Sequence, residues 1–344
     1  MVTSVNPAFR DLVIINPQPL NVSDMHVLVT EPMPGNGIEE LSSRYDVTVG
    51  RRGEFDSEPR LREVIKTCDA LLCCLSTPVT GDVLRAGKKL RIVSNYAVGY
   101  NNIDVETAKE LGILVSNTPD VLTEATADCA FALLLSIARR VREAEDSLRA
   151  GEFDGWHPFG FLGTELHGKN AGILGMGRIG RAFARRARGF GMNILYYDRQ
   201  PLDAGEEMKY EAKRVASIDE LARQSDVLSL HCPLTPETRH AVNKDRLAMM
   251  KPEAILINTA RGPVIDEAEL AAALHEKRIG GAGLDVFEEE PKIHPDLLTA
   301  PNCVLLPHIG SATRETRARM NALAASSIIS HLEGKPDSEI PNLV

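Results

Sequence analysis

A chain of 344 residues is long for one hydrophobic core and comfortable for two domains. Hydrophobic content of 43% and charged content of 25% are ordinary for a globular protein, and a formal charge of −9 argues against nucleic acid as a partner, because phosphate binding needs a basic face. No apolar run approaches membrane-spanning length, so no membrane partner is expected. The first residues lack a basic segment followed by a long apolar one, so no secretory signal is read and the expected location is cytoplasmic. Six cysteines (Cys68, Cys73, Cys74, Cys129, Cys232 and Cys303) form no C-x-x-C and read as buried thiols in a reducing compartment.

In chain order, Met1 to Asp24 carries Asn6-Pro7, Asn16-Pro17 and Pro19 and reads as a loosely structured lead-in. From Met25 to about Thr118, apolar runs at His26–Thr30, Asp46–Val49, Ala70–Leu75, Arg91–Ser94 and Ile113–Ser116 alternate with helical stretches at Gly37–Arg44, Glu58–Thr67, Gly81–Gly87 and Val105–Gly112. Such alternation implies a parallel sheet with helices on both faces. One long helix is predicted over Thr123–Gly151, where Ala127, Ala130, Phe131, Leu134, Leu135 and Ala138 recur at helical spacing. A second series places strands at Ala171–Leu174, Asn193–Asp198, Val227–His231, Ala254–Thr259, Gly281–Val286 and Cys303–Pro307, the period of a six-stranded Rossmann domain. A last helix, about Thr313–Glu333, is expected to return to the first domain. The fold class read is therefore α/β, with two doubly wound parallel-sheet domains: a Rossmann domain inserted in a flavodoxin-like one. The boundaries are 1–119 for the first part of the outer domain, 120–307 for the inserted domain and 308–344 for the C-terminal return, with a cleft near Ser116–Leu122 and Pro307–Ala312.

Gly175-Met-Gly177-Arg178-Ile179-Gly180 follows an apolar strand and opens a helix, and Asp198 closes the next apolar run. A G-x-G-x-x-G in strand–turn–helix–strand–Asp order is a dinucleotide fingerprint. The glycines permit a tight turn and close backbone approach to a pyrophosphate, and the helix N-terminus offers its free N–H groups. Three further segments end predicted strands, where open α/β sheets place ligands. In Asn258-Thr259-Ala260-Arg261-Gly262, the Arg261 fork can hold a carboxylate bidentately, or it pairs on the surface with Asp266 or Glu267. In Gly283–Pro291, Asp285 can accept a hydrogen bond from a cofactor amide, Glu290 is biased to extended geometry by the proline after it, and Glu288 and Glu289 read as solvated. In Pro307-His308-Ile309-Gly310-Ser311, His308 is either a satisfied structural residue or a proton donor. The combination of Arg261, Glu290 and His308 favours the donor: carbonyl reduction needs a carboxylate clamp and a proton source, and a carboxylate beside a histidine favours its protonated form. No histidine or cysteine spacing suits a metal and no G-x-S-x-G elbow is present, while adjacent His231 and Cys232 would point to opposite sides of a strand, against a thiol nucleophile.

Gly175–Gly180, Asn258–Gly262, Gly283–Pro291 and Pro307–Thr313 together resemble the D-isomer-specific 2-hydroxyacid dehydrogenases, from about Met25 to the C-terminus. Asn95–Asp104, Asn117–Thr123 and Gly155-Trp156-His157-Pro158 are similar to the glyoxylate/hydroxypyruvate reductase branch. The resemblance implies reduction of glyoxylate or hydroxypyruvate, or of another 2-keto acid such as 2-ketogluconate or phosphohydroxypyruvate. A non-enzymatic NADH-sensing corepressor of the same fold is the reading from another class. It further implies that Arg261 binds the substrate, His308 donates the proton and Glu290 holds His308. Val98 and Gly99 would grip the carboxylate through their N–H groups, and Leu75 would line the pocket. The implied cofactor site comprises Gly175, Gly177, Arg178, Ile179, Gly180, Asp198, Arg199, Thr126, His231, Cys232, Pro233, Thr259, Ala260, Arg261, Asp285, His308 and Gly310. Asp198 would take both ribose hydroxyls and repel a 2′-phosphate, so NAD(H) is expected, with NADP(H) left open by Arg199. The implied assembly is a homodimer built on the cofactor domain, in which the Trp156 loop reaches the partner or packs within its own subunit.

Overall fold

The computed structural model of the chain describes residues 23–344, so most of the lead-in lies outside the described residues. Strands β1 (Ser23–Val29), β2 (Tyr45–Val49), β3 (Ala70–Cys73), β4 (Ile92–Asn95) and β5 (Leu114–Ser116) form a parallel sheet in the order β2-β1-β3-β4-β5. Strands β6 (Asn170–Leu174), β7 (Asn193–Tyr197), β8 (Ala212–Arg214), β9 (Val227–Leu230), β10 (Ile255–Asn258), β11 (Gly281–Leu284) and β12 (Cys303–Leu305) form a second, seven-stranded parallel sheet in the order β12-β11-β10-β9-β6-β7-β8. These are the flavodoxin-like and Rossmann-like orders. The central strands β3, β9 and β10 are buried at every position, which is why their sequences run apolar without alternation.

Each sheet carries a core on both faces. The C-terminal helix Arg314–Leu332 sends Met320, Ala324, Ile328 and Leu332 into the core of the five-stranded sheet with Val27, Leu72 and Ile92. Ser94 adds a hydrogen bond of 3.0 Å to the Ala324 carbonyl. The helix Thr123–Ala138 packs instead on the seven-stranded sheet, its Leu133, Leu134 and Ile137 among Ile173, Phe183 and Ile257.

Two expectations need correction. The helix predicted from Thr123 to Gly151 is two helices, Thr123–Ala138 and Val141–Arg149, broken where Arg140 turns left-handed at φ 50°. The returning chain makes the break. Thr164 donates its N–H to the Ala138 carbonyl at 2.7 Å, and Gly163 lies so close that a Cβ would stand 2.1 Å from the same oxygen. The second sheet has seven strands because Ala212–Arg214 pairs with β7 as an edge strand.

Candidate active site

The glycine loop joins β6 to the helix Arg178–Gly189, and its three glycines meet three different demands. Gly175 is left-handed at φ 94°, and a Cβ there would stand 2.6 Å from the Cys232 nitrogen at the exit of β9. Gly180 faces the Gly175 carbonyl, which a Cβ would approach to 2.2 Å. At Gly177 a Cβ would meet nothing within 4 Å, so the backbone is open at the middle glycine. No side chain caps this helix, which leaves its first N–H groups available to an anion. An open backbone, a capless helix end and an acidic partner on the next strand fit a dinucleotide diphosphate.

Asp198, at the end of β7, accepts the Met176 N–H on Oδ2 at 2.8 Å and the Gln200 N–H on Oδ1 at 3.2 Å. It therefore holds the glycine loop to the end of β7. Two guanidiniums flank it: Arg199 on the chain, and Arg214, which donates to the Asp198 carbonyl at 3.0 Å and stacks over Tyr197. Arg178 forms an ion pair of 2.5 Å with Asp120 in the segment crossing between the sheets.

His231 and Cys232 line the same crevice between β6 and β9, where strand order reverses. Burial pushes the His231 pKa down to about 3 and the Cys232 thiol up to about 12. His231 Nε2 shares a hydrogen bond with the Ser229 hydroxyl at 2.9 Å, while its Nδ1 is buried with no partner among the described residues. A neutral imidazole and a protonated thiol make no nucleophilic pair. Pro233 is exposed just beyond them.

Arg261 follows β10, and Glu290 and His308 follow β11 and β12. His308 Nδ1 lies 2.8 Å from Glu290 Oε2, and the other oxygen, Oε1, accepts the Phe287 N–H at 3.0 Å. Burial raises the Glu290 carboxyl; its bond to His308 and the charges of His308 and Arg261 outweigh that and hold it below the usual carboxylate range. Arg261 does not pair with Asp266 or Glu267. Its Nε donates to Asn101 Oδ1 at 2.9 Å and its Nη1 to the Ala260 carbonyl at 2.7 Å. Thr259 contributes a buried hydroxyl with no partner among the described residues.

Asp285 is almost fully buried and takes three consecutive N–H groups: His308 on its carbonyl at 2.9 Å, Ile309 on Oδ1 and Gly310 on Oδ2, both at 2.7 Å. It sets the turn that presents His308, and a Cβ at Gly310 would stand 3.0 Å from Asp285 and 3.5 Å from Thr126. Thr126, Asp285 and Gly310 are thus brought together. Burial raises the Asp285 carboxyl, with the Ile309 and Gly310 N–H groups and the His308 charge opposing.

The loop after β4 carries the predicted Val98–Gly99 pair. Asn117 donates to the Val98 carbonyl and Asn95 to the Gly99 carbonyl, both at 2.8 Å. Asn102 ties the loop to the Cys74 and Thr77 carbonyls. With the carbonyls held back, the Val98 and Gly99 N–H groups have no acceptor among the described residues. Gly99 lies against Arg261, whose Nη2 a Cβ would meet at 1.8 Å. Leu75, half-buried, follows β3 at the same end of the sheet. Asn95, Asn101, Asn102 and Asn117 had no role of their own in the reading of the sequence: Asn101 meets Arg261 160 residues away, and an asparagine in a loop signals only a turn.

The arrangement offers an anion clasp made of a guanidinium and two free N–H groups, beside a histidine–carboxylate pair. Among the described residues there is no cluster that could hold a metal and no helix long and apolar enough to cross a membrane.

Comparison with known proteins shows the family. The family described as D-isomer specific 2-hydroxyacid dehydrogenase, NAD binding domain, matches residues 131–310. A glyoxylate reductase of Thermococcus litoralis is 47% identical over 323 residues, covering 92% of this chain and 96% of its own. The crystal structure of a glyoxylate reductase from Paecilomyes thermophila superposes with a TM-score of 0.83 at 37% identity, over 93% of this chain and 98% of its own. That of an NADPH-dependent glyoxylate/hydroxypyruvate reductase from Sinorhizobium meliloti, in complex with NADP and malonate, gives 0.82 at 34% identity, over 94% and 97%.

Proposed function

Because the chain belongs to the D-isomer-specific 2-hydroxyacid dehydrogenases, with glyoxylate reductases among its relatives, we propose that it reduces glyoxylate to glycolate and hydroxypyruvate to D-glycerate with NADH. The observation that carries this reading is the Glu290–His308 pair, 2.8 Å apart, in the electrostatic reach of Arg261.

In this reading residues 120–307 form the NAD-binding domain, and 1–119 with 308–344 the substrate-binding domain. The glycine loop and Arg178–Ile179 hold the pyrophosphate, Asp198 the adenosine ribose, and Thr126, Asp285 and Gly310 flank the nicotinamide. The nicotinamide, when bound, supplies the hydride. Arg261 and the Val98 and Gly99 N–H groups hold the substrate carboxylate, and Arg261 also polarises the keto oxygen. His308 gives its proton to that oxygen as negative charge develops there, and Glu290, ionised, stabilises the imidazolium and fixes its orientation. NADH is preferred because the Asp198 carboxylate repels a 2′-phosphate; Arg199 and Arg214 are the groups through which NADPH would be tolerated.

The working unit is a homodimer. Phe153, Trp156, Phe159 and Leu162 are 69%, 86%, 76% and 63% exposed on one loop, beside exposed Val141 and Leu148 on the preceding helix. Exposed apolar surface of this extent marks an interface. Six free thiols accord with a cytoplasmic location.

His308→Gln tests the reaction. Turnover should fall by at least about 100-fold, the usual contribution of a positioned acid, while NADH binding measured by fluorescence stays as in the wild type. Near-wild-type turnover would remove His308 from the proton-donor role.

A further inference from the structure

We propose that Asn101 is a positioning residue, which locks the Arg261 guanidinium in register with the carboxylate-binding loop. The inference rests on the keto-acid reading above and extends it to a residue outside the catalytic set.

Arg261 belongs to the seven-stranded sheet and Asn101 to the loop after β4 of the five-stranded sheet. Asn101 Oδ1 accepts the Arg261 Nε–H at 2.9 Å, and the Ala260 carbonyl accepts from Nη1 at 2.7 Å. Two acceptors on a rigid plane fix both its direction and its tilt. Of the five guanidinium N–H groups, three remain for a substrate. The fixed plane lies on Gly99, where only a glycine leaves room for Nη2. The free N–H groups of Val98 and Gly99 and the free edge of the guanidinium therefore meet on one surface, and Asn101 is the side chain that joins them across the two sheets.

The chemistry of the acceptor matters as well. An amide oxygen takes the Nε–H without neutralising the guanidinium, so the full positive charge stays available to an incoming carboxylate. Asn101 is itself exposed, so its single hydrogen bond contributes little to folding. The anchoring of the loop rests on Asn95, Asn102 and Asn117 instead. Replacing Asn101 should thus change binding and leave the fold intact.

The test is calorimetric titration of oxalate, a planar anion with the carboxylate and adjacent oxygen of a 2-keto acid, into the NADH-saturated full-length protein. Asn101→Leu keeps the shape and loses the acceptor; Asn101→Asp keeps both. The Leu variant should bind oxalate about tenfold more weakly, as expected for one lost charge-assisted hydrogen bond. The Asp variant keeps the acceptor but partly neutralises the guanidinium. It should bind oxalate more weakly than the wild type at low salt and return to within about threefold of it at high salt, where the added charge is screened; both variants should bind NADH unchanged. Wild-type affinity in the Leu variant, or an Asp variant as weak as the Leu one at high salt, would overturn the assignment. Glyoxylate turnover of the wild type, run in parallel, separates the two ideas. Oxalate binding with this pattern but no turnover would sink the reductase reading and leave Asn101 in its role. Failure of the wild type to bind oxalate would remove both.

Discussion

His308 stands in a left-handed backbone conformation, φ 53°, that a histidine adopts at a cost, and Asp285 holds it there with three acceptors for three successive N–H groups. His308, the proposed proton donor, is thus oriented from two sides, by Asp285 through the main chain and by Glu290 through Nδ1. The Glu290 carboxyl is held below its usual value by its bond to His308 and by the nearby positive charges, so its ionised form persists as pH falls and is lost only at a pH below the ordinary glutamate value. The acid limb of kcat/KM for keto-acid reduction should therefore lie below that value in the wild type. In Glu290→Gln this limb should vanish and the neutral-pH rate should fall about 100-fold. A Glu290→Gln profile parallel to that of the wild type would mean that the carboxylate does not govern the donor. Arg261, Glu290 and His308 were legible as residue types at strand ends. Their orienting partners were not. Nothing in the sequence distinguishes Asn101, which reaches Arg261 160 residues away, from Asn36, which opens a surface helix.

Among the elements, the connection between β10 and β11 ties two segments of the proposed active site together. Gly262 lies directly on the loop that ends in Glu290: a Cβ there would stand 1.9 Å from the Phe287 carbonyl carbon. Glu267, almost fully buried, fixes the same loop by accepting the Glu288 N–H at 2.5 Å. Gly262→Ala should push the two segments apart. The expected result is a loss of about 1–3 kcal/mol in denaturant unfolding, the range for overpacking, with a larger fall in kcat than in NADH affinity. Unchanged stability and activity would show that the loop yields freely. The elements legible in the sequence were those with apolar runs buried on both sides, such as β3, β9 and β10. β8 was not legible because Ala-Lys-Arg is short, polar and exposed at two of three positions. The break at Arg140 was hidden because two arginines continue a helical pattern, while its cause, Thr164 on the Ala138 carbonyl, lies in a segment that returns later.

At the scale of the whole molecule, two parallel sheets were readable from alternation, since parallel strands need crossovers, and the last helix was expected to return to the first; the strand orders were not read. The resemblance had the Trp156 loop either reach a partner or pack within its own subunit; the extent of the exposed apolar arm from Val141 to Leu162 was not legible, because exposure is a property of the fold. Trp156→Ser with Phe159→Ser should shift the proposed dimer to monomer in sedimentation at micromolar concentration; a wild-type protein that sediments as a monomer would contradict the proposed assembly. The central claim is a reductase of small 2-keto acids that prefers NADH, and its most direct test is the initial rate of NADH and of NADPH oxidation with glyoxylate and with hydroxypyruvate, measured side by side. Fast NADH oxidation with both acids and weak use of NADPH is the result expected from Asp198, Arg261 and His308. No oxidation of either cofactor with either acid would contradict the claim, and faster oxidation of NADPH would show that Arg199 and Arg214 outweigh Asp198.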